Sequence, residues 1–458
     1  MKDTHYPETL PILPLAQPPD VTVPIPGSKS LTNRALILAA LAEGKSTLLG
    51  ALTSEDTLVM SDSLHRLGFT VDADAEAETI TVLGQGGRIP AADAKLFLAN
   101  SGTSIRFLTA FTALGTGRYR LDGVERMRQR PQQDLLDALN GLGVSARSEL
   151  SNGCPPLIVE PEHGLPGGTT RLNAEASSQF LTALLMVAPY ARQDVTIEIE
   201  GQLRPFYIEI TRQMMAQWGV QITRQAESRV PEPSLPLALN QPYVLRPPCY
   251  HIASGQRYAA QAEYRIEPDA SSASYFFAAA ALTGGRVTIP GLGSDALQGD
   301  VRFATEVLAE MGCTVTHDNE GLTVVGPPDG KLQGVDRDMS AISDTSLTLA
   351  ALAPFAASPT TVRNIGHARQ QECDRIAAVC TELTRLGVEV EERSDGFTIC
   401  PARTIQPATL QTYGDHRVAM SFALIGLKVP GIVIDDPACV AKTFPDYWQR
   451  LERLRKEQ

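Results

Sequence analysis

A chain of 458 residues exceeds what one ordinary hydrophobic core supports, so two or three domains are expected. Hydrophobic residues at 43% and charged residues at 20% describe a globular chain rather than a disordered one, and no apolar run approaches the ~18 residues of a membrane span. The net charge of −12 excludes a general attraction to nucleic acid, so an anionic ligand would need a local concentration of basic groups.

Residues 1–23 are Pro-rich and without helical period; they carry neither an apolar secretory segment nor an Arg/Ser-rich transit pattern, so a cytoplasmic protein is expected. The next stretch, PIPGSKSLTNRALILAALAEG from Pro24 to Gly44, predicts a helix over 31–42 that is apolar nearly all round past Arg34. Such a helix belongs in a core, and its first turn, with Lys29 and Arg34, offers a site for an anion. Then LTSEDTLVMSDSLHRLGFTVDA reads as an amphipathic helix stopped by Gly68 and followed by a strand.

Both features repeat. The stopping glycine returns at Gly143, Gly219, Gly312 and Gly387, at intervals of 75, 76, 93 and 75 residues. The small-polar helix starts at Ser28, Ser101, Ser177, Ser271, Asp344 and Asp415 are spaced by 73, 76, 94, 73 and 71 residues, each before an apolar run. Both ladders stretch in the same unit, where a Pro-rich segment reads as an inserted loop over about 225–262. Six units predict an α/β (α+β) chain of two lobes, 28–267 and 268–458, the second completed by residues 1–27. Crossings at Pro26-Gly27 and Glu267-Pro268 would form a hinge. If the six helix starts face the cleft, their positive dipole ends converge on a multiply anionic ligand. The seven scattered cysteines and seven dispersed histidines show no metal-ligand spacing, so no metal is expected.

The stretches GSKSLTNRA, NSGTSIR, ERMRQRP, SSQFLTALL, DASSASYF, ISDTS, ECDRI, YGDHRVAM and AKTFPDYW run in one order along nearly the whole chain. In these motifs the chain resembles the 5-enolpyruvylshikimate-3-phosphate synthases, within the enolpyruvyl transferase family. The resemblance implies a two-domain inside-out α/β barrel, each domain three βαβαββ repeats about a hinged cleft. It implies transfer of the enolpyruvyl group of phosphoenolpyruvate to the 5-hydroxyl of shikimate-3-phosphate, with release of phosphate and no cofactor. A monomer is expected, with glyphosate as an inhibitor and no nucleic acid or membrane partner.

By the same resemblance, Glu372 moves a proton at the enol methylene, Asp344 is the base near the hydroxyl, and Lys29 completes the catalytic set. Lys29, Arg126, Arg375, Arg417 and Lys442 correspond to the cations that bind phosphoenolpyruvate, with Asn100, Gly102, Thr103 and Gln179 around it. Ser30, Arg34, Ser177, Ser178 and Gln179, with Lys29 and Asp344, correspond to the groups that hold shikimate-3-phosphate. Read alone, Glu372 and Arg375 could be an exposed helix pair, and Asp344, Ser177 and Ser178 simple caps. His416 reads as structural, and Arg128 as a solvated charge.

Departures from the family pattern fall on the acceptor side. LRPFYIEIT lacks the family's phosphate-binding serine; ungapped alignment puts Arg204 there, a one-residue slip Leu203, and Tyr207 is retained. His367 replaces an asparagine and Gln371 a lysine. Arg204 supplies a bidentate fork where a lysine is lost, and with His367 and Gln371 is expected to contact the acceptor. Phe107 stands where relatives often carry proline, which predicts somewhat weakened glyphosate binding. The rival UDP-N-acetylglucosamine enolpyruvyl transferases typically have Lys-Asn at Lys29-Ser30 and a reactive cysteine in the loop corresponding to 123–131, which this chain lacks.

Overall fold

The computed structural model describes residues 6–174, 177–201, 205–231 and 243–456. Apolar runs without a polar face become helices enclosed on all sides: Lys29–Leu41, Gly102–Thr112, Ser178–Val187, Ala270–Thr283, Ser346–Leu352 and His416–Gly426. All residues of Gly102–Thr112 and of His416–Gly426 are buried. Amphipathic helices such as Glu55–Arg66, Gln133–Gly141 and Arg375–Arg385 cover these from outside, with one face buried. The five stopping glycines have φ between 80° and 103°, the left-handed geometry that ends a helix without a side-chain penalty.

The sheets share one wiring. Asp93–Phe97 pairs in parallel with Arg118–Asp122, which runs antiparallel to Leu157–Glu160, itself antiparallel to Ser145–Ser148. Four other sheets repeat this order. Three strands come from a distance. Tyr264–Arg265 completes the sheet of Glu43–Leu49, Asp20–Thr22 that of Arg286–Ile289, and Thr9–Ile12 lies against Ile432–Asp435. In the stretch read as an insertion, an additional hairpin, Ser228–Pro231 with Tyr243–Arg246, precedes Cys249–Ile252, which is a regular strand of the third sheet.

Two separate apolar cores result. One is built from residues between Leu31 and Ile266; the other joins Ile12, Val21, Val23 and Ile25 to residues between Ala270 and Leu454. A chain of two lobes is the outcome, with five four-stranded sheets of one wiring and a three-stranded sixth among the described residues, and five of the six helix starts meet where the lobes face each other.

Candidate active site between the lobes

A cavity of about 110 Å³ lies between the lobes. Lys29, Gly102, Thr103, Ser177, Ser178 and Gln179 line it from one side, and Asp344, His367, Gln371, Glu372, Arg375 and Arg417 from the other. Five of the six helix starts thus reach it. The sixth, that of Ala270–Thr283, supplies no lining residue. Most starts are also already capped: Ser101 accepts from the Ser104 amide, Ser177 from Gln179 and Asp415 from Arg417. Side-chain cations, more than unsatisfied dipole ends, therefore set the field.

On one wall two carboxylates are clamped. Asp344 accepts from Arg417 Nη2 at 2.8 Å and Arg375 Nη1 at 3.2 Å. Glu372 accepts from Lys442 Nζ at 2.7 Å and Arg375 Nη2 at 3.0 Å. Arg375 is itself held by Asp415, 2.8 Å from its Nε. This is no exposed helix pair: the side chains of Arg375 and Glu372 are 2% and 9% exposed. Nor does Asp344 cap its helix, for the cap residue is Thr345. Burial alone would raise both carboxyls. The Lys442 and Arg375 charges outweigh it at Glu372, and those of Arg417 and Arg375 at Asp344, so both lie below their ordinary range and are ionised.

The opposite wall carries Lys29 with its counter-ion Asp56 and, beside them, two arginines. Arg106 donates to Gln179 Oε1 at 2.7 Å and Arg130 to Asn100, yet the Nε of each is buried and unpartnered. Burial, then the neighbouring Arg130, pulls Arg106 down to about 9. Among the described residues no carboxylate is bonded to either of these two adjacent buried guanidiniums, which makes them the half-built complement of an anion.

Several expected residues stand behind the lining. Arg34 donates to Ser30 Oγ at 2.8 Å and Thr211 at 2.9 Å, and faces the Phe107 ring. Lys442 reaches across to the Asn100 carbonyl at 3.0 Å. Arg126 donates to the Gln371 carbonyl at 2.8 Å, so it joins the lobes instead of lining the cavity. His367 Nε2 lies 2.9 Å from Ser343 Oγ. Arg204 lies outside the described residues. Arg106 and Asp56, which the sequence does not single out, line the cavity together with Arg130, an arginine of the ERMRQRP motif given no role by the resemblance. The two arginines stand within NSGTSIR and ERMRQRP, while Asp56 is one of two acids in the first turn of Glu55–Arg66.

His416 is fully buried, and burial followed by the Lys442 and Arg417 charges holds it neutral, well below 6.5. Unfolding lets it take a proton below 6.5, and lets Glu372 and Asp344 do so near 4.5 and 3.8, so all three lose their stabilising contribution as pH falls. The thermal midpoint of the ligand-free protein is expected to decline most steeply below about pH 4.5; between pH 6.5 and 4.5 the loss at His416 is offset by Asp300, whose carboxyl burial pushes up to about 7. Glu372→Gln should flatten that steep part in a calorimetric pH series.

The sequence profile of EPSP synthase (3-phosphoshikimate 1-carboxyvinyltransferase) matches residues 17–235 and 247–451. The chain belongs to this family. A 3-phosphoshikimate 1-carboxyvinyltransferase of Trichormus variabilis is 48% identical over 448 residues, covering 98% of this chain and 99% of its own. The chloroplastic one of Arabidopsis thaliana is 43% identical, over 95% of this chain and 82% of its own. In fold, the EPSP synthase of Acinetobacter baumannii superposes with a TM-score of 0.77 over 98% of both chains, at 22% identity. The EPSP synthase fold thus accounts for the two lobes and the shared sheet wiring.

Proposed function

We propose that the chain transfers the enolpyruvyl group of phosphoenolpyruvate to the 5-hydroxyl of shikimate-3-phosphate and releases phosphate. One observation carries the assignment of roles. Two ionised carboxylates, Asp344 half-buried and Glu372 nearly enclosed, share Arg375 on one wall and face Arg106 and Arg130, which bond no carboxylate among the described residues, on the other.

Addition needs one proton removed from the hydroxyl and one delivered to the enol methylene. Asp344 takes the first as the oxygen bonds to the central enol carbon, and Glu372 supplies the second. Elimination reverses the movement at the methyl group: Glu372 takes the proton back, the bond between the central carbon and the phosphate oxygen breaks, and phosphate leaves with the proton that Asp344 took from the hydroxyl. Glu372 is ionised in the ligand-free protein and must first gain a proton. The donor's own negative charges, engaging Lys442 and Arg375, weaken the pull that keeps it ionised. Arg106 and Arg130 take donor charge on the other wall, while Ser177, Ser178, Gln179 and Tyr207 border the acceptor's share. Glyphosate, as an anion, competes for the donor region.

Phosphate release by purified protein with both substrates tests this reading; the same protein with phosphoenolpyruvate and UDP-N-acetylglucosamine should release none. Release with the second pair only would overturn the acceptor. A finer test lies at Gly102, where an added Cβ would sit 2.4 Å from Arg130 Nη2. Gly102→Ala must displace that guanidinium, so the KM for phosphoenolpyruvate should rise about 10–100-fold with a smaller change in kcat. Glyphosate inhibition should weaken in parallel.

A further inference from the structure

The two crossings between the lobes lie side by side. Gly27 and Pro268 form an antiparallel bridge, the Ser28 amide donates to the Glu267 carbonyl at 2.8 Å, and the Asp269 amide to the Pro26 carbonyl at 2.9 Å. A Cβ on Gly27 would stand 1.8 Å from the Gly50 carbonyl oxygen, so the crossing is seated tightly on the first lobe. At this point one side chain serves both lobes. Asp269 Oδ1 accepts from the Ser272 amide at 2.7 Å, capping Ala270–Thr283 in one lobe. Its Oδ2 accepts from the Lys29 amide at 3.2 Å, at the first residue of Lys29–Leu41 in the other. The latter helix's own cap is weak, since Ser28 Oγ stands 3.5 Å from the Leu31 amide.

We propose that Asp269 is a positioning residue for the reaction: a single carboxylate caps the first turns of two helices in different lobes and so fixes Lys29 relative to the second lobe. The proposal rests on the reading of Lys29 as a substrate-binding cation. A carboxylate suits the task because both its oxygens accept, whereas an asparagine has one accepting oxygen and a donating amide. Asparagine equals aspartate as a helix cap, so Asp269→Asn keeps the Ala270–Thr283 cap and loses the bond to Lys29.

Asp269→Asn is expected to raise the KM for phosphoenolpyruvate about tenfold, the scale of one lost bond to a charged acceptor, with kcat less affected. Hydrogen exchange should quicken in a peptide covering 26–36 and stay unchanged over 270–283. Asp269→Ser, which caps its own helix but cannot reach Lys29, should behave alike and covers the case in which the asparagine variant folds poorly. Unchanged exchange over 26–36 overturns the shared cap, and does so whatever the enzyme's substrates prove to be. Faster exchange with wild-type KM values overturns the positioning role alone.

Discussion

Glu372→Gln is expected to lower kcat for phosphate release by about 10²–10⁴-fold, the range that one general acid-base group supplies. The amide keeps the shape of the carboxylate and can still accept from Lys442 or Arg375, but it cannot carry a proton to the methylene. Removing a negative charge from between two cations should leave the KM for phosphoenolpyruvate unchanged or lower, because the donor then meets less competition for Lys442 and Arg375. Steady-state kinetics at fixed acceptor separate the two parameters. A kcat within threefold of wild type would reduce Glu372 to a structural ion pair.

Lys29→Met should cut kcat/KM by about 10³-fold, since a fixed, half-buried cation is lost where two anionic substrates meet. Lys29 Nζ lies 3.3 Å from Asp56 Oδ2, and the two side chains are 15% and 2% exposed. The methionine preserves the stem but leaves Asp56 buried without its counter-ion, which costs about 3 kcal/mol or more and should lower the thermal midpoint. Adding Asp56→Asn should restore the midpoint and not the activity. That divergence separates a stabilising role for the pair from a role of the ammonium in transfer. Recovery of activity in the double variant would refute the second role.

The fold was legible because its repeat is carried by strong local signals. A glycine that must be left-handed and a helix that must be buried occur in phase, and tertiary context had little to override. The site was harder where a choice depended on local turn geometry. The arginines of ERMRQRP look equivalent in sequence. In the structure a 3-10 turn over Met127–Gln129 sends Arg126 to the Gln371 carbonyl and Arg128 to Asp122, while Arg130 leaves in an extended conformation toward the cavity. Neither composition nor spacing encodes which side chain such a turn aims inward. Asp56 was obscured differently. An acid in the first turn of a helix is ordinary, and only the approach of Lys29 from a neighbouring helix gives it a second use.

The strands that Thr9–Ile12 and Asp20–Thr22 contribute to the second lobe give synthesis an order of events. A ribosome delivers these segments before the rest of the second lobe, yet Thr9 finds its partner only when Asp435 has emerged. The lobe containing Lys29 can close its core as soon as Tyr264 and Arg265 are available, with the leading segment still waiting unpaired. Nascent chains halted once residue 270 has cleared the ribosome exit tunnel should therefore already resist protease through the first lobe, while the other lobe gains resistance only after Asp435 has emerged.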